Sequence, residues 1–425
     1  MREGGGGACI TLTLSALARA SYRHDDLLSH LCRALVLQLK HQGGREGGEG
    51  TGGGGGGVLS APEVAQAMHA LAVLNYRDAS ALAALARAVP ADAEFCLQSL
   101  ANIAWACAAL EIREANLTKA IVGALDTHFA LFLQGRLRRV QSMVLRRPDS
   151  SAPFSRISAL PPPLPGDAGM KNARMGPAYG AAQLSDVLQE QSGRGVEGGR
   201  EGGGEEEDKE EEEEINSTGT FVEMQEMRQV HQFLVECRLR GVDVSALCVG
   251  GSGTREAWCK RERMCRAVFE ARSRNRAMPS RLQAQVEEAL RRLAGKTHCV
   301  FKEPIDAAAG YALDLIFAPL DLVPFPHAHA GAAHPALAGG GGAFECGVGE
   351  GQLVGEELRE RGVVIEVDGP AHFLRPGGRL PSGSTLMKRR HLEKLGYKLI
   401  SVPFFEWNAL DDAQEQAQVL KKYSL

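Results

Sequence analysis

The sequence predicts an α-helical repeat region over residues 9–147 and a small α/β domain over residues 297–425. Three observations carry this. Apolar residues over 9–130 recur at helical spacing with a longer period of 36–39 residues. The run Val363-Val-Ile-Glu-Val367 is β-branched, with no Gly or Pro inside it, as in a buried strand. Between the two, residues 148–219 are rich in Pro, Gly, Ser and Glu, a composition that cannot bury a core and predicts a disordered linker.

The repeat is exposed by aligning Tyr22-Arg23, Tyr76-Arg77 and Ile112-Arg113. Six residues before each anchor stands an alanine (Ala16, Ala70, Ala106), two before stand Ala20, Leu74 and Leu110, and nine after stand Leu31, Leu85 and Ile121. The anchors lie 54 and 36 residues apart, and setting aside a Gly-rich insertion, 43–57, shortens the first interval to 39. Such a period predicts stacked helix pairs, an α-solenoid. The helix continues into a basic stretch, 131–147, with five arginines.

The formal charge of −4 hides its distribution. Residues 197–214 hold eleven acids and two bases, and with that −9 set aside the rest of the chain carries +5. Residues 255–296 alone hold twelve Lys/Arg against five Asp/Glu. A basic segment on an otherwise neutral chain is the footprint of polyanion binding, though a solvated helix face has the same composition. The ten cysteines contain no CxxC pair and read as small core residues of a reducing compartment. No apolar run reaches eighteen residues, so no transmembrane helix is expected. Met1-Arg-Glu-Gly-Gly-Gly-Gly7 has the pattern of neither a signal nor a transit peptide.

Residues 221–296 predict three helices before the α/β domain. The first is Phe221–Gly241, the second runs over 254–274 with Trp258 and Phe269 as apolar anchors, and the third is Arg281–Leu293 with Ser280 as N-cap. Strands follow at Thr297–Lys302 and Leu313–Phe317, then a Pro-, His- and Gly-rich insertion over 321–362. His327, His329 and His334 in it have no structured frame to make a metal site. The strand at 363–367, a helix at 385–395 ended by Gly396, and a strand at 398–402 suit a parallel crossover. Glu366 and Asp368 are two apart, so both acids project from one strand face, with His372 just past the Gly369-Pro370 turn. Buried carboxylates need a cation or hydrogen-bond donors, which makes this a candidate metal or nucleic-acid site. No Ser/His/Asp triad, Walker loop or dinucleotide fingerprint is present, against ATP-driven, kinase or hydride chemistry.

Glu366-Val-Asp-Gly-Pro-Ala-His-Phe373, the helix Thr385–Tyr397 and Lys398-Leu-Ile-Ser-Val-Pro-Phe-Phe-Glu-Trp407 together resemble the RAP domain (core 363–423), which ends organellar RNA-binding proteins of the FAST-kinase type. Gln229–Gly241 resembles the helix before that domain, and Met68–Asp78 resembles degenerate octotricopeptide-type repeats. The resemblance implies a restriction-endonuclease-like α/β fold and work on mitochondrial or plastid RNA: processing, stability or translation. The partners it implies are single-stranded organellar transcripts or rRNA, held by the repeats, with the RAP-like domain on the phosphate backbone. In related nucleases an aspartate and an Asp/Glu-x-Lys motif hold Mg²⁺. Asp314 and Glu366 match the acids, Asp368 stands where the lysine would be, and His372 matches a downstream histidine. Three readings follow: RNA binding without catalysis, a Mg²⁺-dependent endoribonuclease using Asp314, Glu366, Asp368 and His372, and a protein-recruiting scaffold. The first uses Lys388, Arg389, Arg390, Lys394 and Lys398 on phosphates and Phe373 or Trp407 for stacking.

Overall fold

The computed structural model describes residues 6–43, 59–89, 95–145, 221–247, 255–274, 280–322, 353–410 and 412–422. The Gly-rich stretch 43–57, the acidic linker 148–219 and residues 323–352 of the insertion, with its three histidines, fall outside these residues apart from Gly43, whereas 353–362, read from sequence as insertion, hold a short strand and a helix. What is described is mostly helical, with a small sheet toward the C-terminal end.

The helices are α1 (Gly6–Arg19), α2 (Asp25–Gly43), α3 (Ala61–Val73), α4 (Ala79–Arg87), α5 (Leu97–Leu110), α6 (Ala115–Leu145), α7 (Phe221–Leu239), α8 (Val244–Leu247), α9 (Arg255–Arg274) and α10 (Arg281–Ala294). Ser280 caps α10 by accepting from the Gln283 N–H at 3.1 Å. Helices α1, α3, α5 and α7 pack side by side as a row, while α2 packs on α4 and α9 on α7. Buried Arg261 of α9 is ion-paired with buried Asp126 of α6. Alanines make the row possible. Ala65, Ala67, Ala70, Ala101, Ala104 and Ala108 are all buried, so neighbouring helix axes can approach closely.

The aligned anchors mark a helix-ending corner. Each follows a residue in the left-handed region, Ser21 (φ 50°), Asn75 (φ 46°) and Glu111 (φ 55°). The anchor N–H reaches five residues back, Tyr22 to Leu17, Tyr76 to Leu71 and Ile112 to Cys107, each at 2.9 Å. This is the hydrogen bond that closes a Schellman cap. The same corner recurs after α7, where Gly241 has φ 71° and Val242 N–H donates to Cys237 O at 2.9 Å. Thus Phe221–Gly241, read from sequence as a helix preceding the α/β domain, packs on α5 as the next member of the row and ends in the same corner. The anchor arginine also has a role: Arg23 donates to the Asn75 carbonyl at 2.5 Å, and Arg77 to Glu111 Oε1 at 3.0 Å. Each holds the corner of the next copy, where the last carbonyls of a helix favour a cation.

The sheet has four strands, β1 (His298–Lys302), β2 (Leu315–Pro319), β3 (Val363–Asp368) and β4 (Lys398–Pro403), in that spatial order. β1/β2 and β2/β3 are antiparallel and β3/β4 parallel. Around it are α11 (Glu356–Arg361), α12 (Gly383–Lys394), α13 (Phe404–Trp407) and α14 (Ala413–Lys422). The parallel pair is joined through α12, as the strand–helix–strand spacing predicts. Val364 faces a core with Val235, Leu392 and Tyr397, whereas Ile365 and Val367 face Val286, Leu290, Trp407 and Leu420. The apolar run 398–407 is not one strand: β4 stops at Pro403, which has no N–H for a ladder, and Trp407 belongs to a helical turn.

Helix α12 lies across α3, α5 and α7. At its start Gly383 rests on α3, where an added Cβ would overlap the Ala72 carbonyl oxygen. Further along, Arg390 donates to the Ala108 carbonyl of α5. The loop before α12 is tied to the first corner, with Arg375 N–H donating to Ser21 O and Arg23 N–H to Arg375 O, both at 2.6 Å. Replacing Gly383 with Ala is expected to cost about 1–3 kcal/mol through backbone displacement. Chemical denaturation would show this as a lower midpoint, whereas an alanine at Gly369, where nothing lies near an added Cβ, leaves it within error.

Candidate nucleic-acid interface

The β-branched character of β3 drives it into the sheet, and its alternation sends Glu366 and Asp368 to one side. There they meet the N-terminal half of α12 and the facing sides of α7 and α9. The result is a cleft of about 380 Å³. Its lining includes Glu366, Asp368 and His372 from β3 and the turn after it, Ser384, Thr385, Lys388 and Arg389 from α12, and Arg228, Gln232, Phe269 and Arg272 from α7 and α9.

Both acids carry a cation. Lys388 Nζ donates to Glu366 Oε2. Arg389 Nη2 reaches Asp368 Oδ2 at 2.5 Å, and Ser401 Oγ donates to the same oxygen at 2.6 Å. Asp368 Oδ1 lies 2.9 Å from His372 Nδ1, whose ring is 41% exposed at the mouth of the cleft. Burial pushes the Asp368 carboxyl upward, but His372, Ser401 and Arg389 outweigh it and leave the group below its ordinary range. The two α12 cations therefore neutralise two buried carboxylates before any ligand enters.

Of the remaining residues named from sequence, Asp314 lies beside Glu366 and Asp368 at the start of the neighbouring strand, and the others lie outside the cleft lining. Asp314 is buried just before β2 and its Oδ2 accepts from the Val367 N–H at 2.8 Å, which ties the middle strands together. Phe373 is buried against Phe404 and Phe405. Trp407, only 2% exposed, is packed beneath the sheet, so neither ring offers a face to a base. Arg390 is directed at the Ala108 carbonyl, Lys394 reaches Glu236 at 3.1 Å, and Lys398 is exposed at the start of β4, outside the cleft lining. Among the described residues no group of three or more His, Cys, Asp or Glu side chains is placed to hold a metal ion. Glu366 and Asp368 are instead answered by Lys388 and Arg389.

Arg228 and Arg272 were missed by sequence reading. Arg266 and Arg274 share Glu270 at i,i+4 spacing, and Arg291 and Arg292 pair with Glu287 and Glu288 in the same way. Neither Arg228 nor Arg272 has an acid three or four residues away in either direction. Arg238 and Arg261 on the same helices also lack such an acid and are paired through the fold with Glu262 and Asp126, so helical spacing does not single out Arg228 and Arg272.

Behind the cleft, α12 is pinned to α7 by Glu236, which is 1% exposed. Its Oε2 lies 3.0 Å from His391 Nε2 and 3.6 Å from Arg390, and its Oε1 is 3.1 Å from Lys394. Burial opposes ionisation of Glu236, but the bonds from His391 and Lys394 win and bring it to about 2. Burial pushes His391 below its ordinary value, against the pull of Glu236. Neutral His391 donates from Nε2 to Glu236 and accepts at Nδ1 from the Tyr311 hydroxyl, 2.9 Å away. His231 is likewise buried and neutral, brought down to about 4, with Nε2–H donating to the Ala309 carbonyl at 2.8 Å.

With this geometry established, comparison defines the class. Residues 365–423 match the family model for the RAP domain, and the chain carries that domain there. Two relatives share parts of it. One is similar over 73 residues at 36% identity, the RAP domain-containing protein, chloroplastic, of Oryza sativa subsp. japonica, covering 17% of this chain and 11% of the relative. The other is the FAST kinase domain-containing protein 1, mitochondrial, of Mus musculus, 46% identical over 37 residues, 9% of this chain and 4% of the relative. The matched segments thus span about a tenth or less of each relative's length. Among the described residues no helix is long and apolar enough to cross a membrane.

Two outcomes follow from the electrostatics. Because His231 is depressed in the fold, the unfolded chain takes up the proton first, and stability is lost as pH falls from 6.5 to about 4. His391 adds to this loss in the same direction, and Glu236 holds its contribution until pH falls below 4.5 toward about 2. Thermal melts across that range should show a midpoint that drops progressively below pH 6.5; a flat profile contradicts buried neutral histidines. In the second, Lys388→Met removes the ammonium from a buried carboxylate and is expected to cost about 3 kcal/mol, most of it recovered by adding Glu366→Gln. Equal stabilities of the single and double variants would contradict the pairing.

Proposed function

We propose that the chain is an RNA-binding protein of mitochondria or plastids, acting in processing, stability or translation of organellar transcripts. One observation carries the reading: the cleft on the RAP domain's acids has Lys388 and Arg389 paired with Glu366 and Asp368 and keeps Arg228 and Arg272 in its lining, a net positive setting for the phosphate backbone. Two features adjust the expected division of labour. The row α1, α3, α5, α7 is a short α-solenoid whose α3–α5–α7 face is taken by α12, so the RNA strand is seated at the cleft and the repeats act mainly as its frame. The strand order, with two antiparallel pairings followed by a parallel crossover, suits the restriction-endonuclease-like fold. The printed names of the two relatives, chloroplastic and mitochondrial, favour an organellar address.

A second reading, endoribonuclease, is favoured by His372 hydrogen-bonded to Asp368 at the mouth of the same cleft, an arrangement able to move a proton. One experiment separates the two. Labelled single-stranded RNA is incubated with the purified chain in Mg²⁺ or EDTA, beside Glu366→Gln and His372→Ala variants, with a salt titration of binding. Salt-sensitive binding with no new RNA fragments is the expected result. Cleavage abolished by His372→Ala would install the second reading instead. Absence of any binding would overturn both and leave a protein-recruiting scaffold.

A further inference from the structure

Resting on the RNA reading above, we propose that the cleft recognises a phosphorylated end of RNA: the terminal nucleotide, through a phosphomonoester held between Arg228 and Arg272.

The argument begins with charge. Glu366 and Asp368 are neutralised by Lys388 and Arg389, so those four groups contribute no net charge to the cleft. What remains is the pair Arg228 and Arg272, brought to the same lining from α7 and α9. Arg228 donates from Nε to its own helix, to the Met224 carbonyl at 3.3 Å, and no acid among the described residues pairs with it or with Arg272. The two are close enough that Arg272, after burial, pulls Arg228 below its ordinary value. Nearby arginines are arranged otherwise: Arg266 and Arg274 are both satisfied by Glu270, and Arg238 by Glu262. Two like charges set together, with acids supplied to their neighbours and not to them, leave +2 for a ligand to cancel. An internal phosphodiester brings −1. A terminal phosphomonoester brings close to −2 near neutrality and three oxygens, which two guanidinium forks can share.

Shape agrees with an end rather than a passing strand. The cleft, about 380 Å³, is bounded by four structural walls: α7, α9, α12, and β3 with the Tyr311–Ala312 segment. That volume accommodates one nucleotide. Beside the arginines the half-buried ring of Phe269 lines the cleft, held edge-on by Tyr311 at 5.2 Å between centroids. It offers the apolar face on which a terminal base can stack, the position for which Phe373 and Trp407 are too deeply buried. Ser384 and Thr385 supply hydroxyls at the opposite wall.

The test uses one RNA sequence in four forms: 5′-phosphate, 3′-phosphate, hydroxyls at both ends, and circular. Affinity is measured by fluorescence anisotropy for the full chain and for Arg228→Gln/Arg272→Gln. One phosphorylated form is expected to bind about ten-fold more tightly than the hydroxyl-ended form. The double variant should bind the phosphorylated and hydroxyl-ended forms equally, more weakly than the wild type binds either, while keeping the melting temperature. Preference for the 5′ or the 3′ phosphate identifies which end is held. Equal affinity of all four forms overturns the inference and leaves a backbone binder. Absence of binding by every form removes the RNA reading on which the inference stands.

Discussion

The structure depends on one buried carboxylate. Glu236 sits on α7, the fourth helix of the row, and gathers His391, Lys394 and Arg390 from the single RAP helix α12. A buried acid is costly alone, and three donors from one helix make it a directional lock. Its direction matters more than its strength. With α12 turned so that these residues face Glu236, Lys388 and Arg389 are turned toward β3, and the cleft obtains both its neutral floor and its boundary. Gly383 sets the same orientation from the other end, because only a residue without a side chain allows α12 to rest on the backbone of α3.

This coupling gives the basic residues of the chain two distinct roles. Those on α12 serve the interior, answering Glu366, Asp368 and Glu236. Those on the row and its partner, Arg228 and Arg272, are the ones left for a ligand. A basic helix inside the RAP domain therefore need not be a ligand-contacting surface. Counting cations along a sequence cannot separate the roles, since a lysine answering an acid 22 residues away looks the same as one facing water.

Much of the domain was nevertheless legible. The strands announced themselves because 298–302 and 363–367 have no breakers and the second is a β-branched run, and the shared face of Glu366 and Asp368 followed from strand alternation alone. Ser280 and Gly396 marked helix ends by their capping chemistry. The fourth member of the row was hidden by position: its anchor is Val242-Asp243 instead of an aromatic and an arginine, and the acidic linker separates it from the third. Its backbone signature, a left-handed residue before the anchor, was readable only as Gly241. Trp407, named as a stacking candidate, goes into the core from a helical turn that starts after Pro403, and that proline was itself the available stop signal for the strand. The engagement of α12 could not be read, since its partners come from segments more than 150 residues apart, as between Glu236 and His391.

The docking of α12 has a consequence for how the protein is made. Synthesis runs from the N-terminal end at about 5–20 residues per second, and the repeats can begin to fold as they emerge. The element that covers α3 and α5 comes in the last tenth of the chain, beginning at Gly383. For much of its time on the ribosome the nascent row therefore exposes an alanine-rich face with its partner not yet synthesised. A truncation that removes α12 would leave that face open for the lifetime of the product, a substrate for chaperones and proteases.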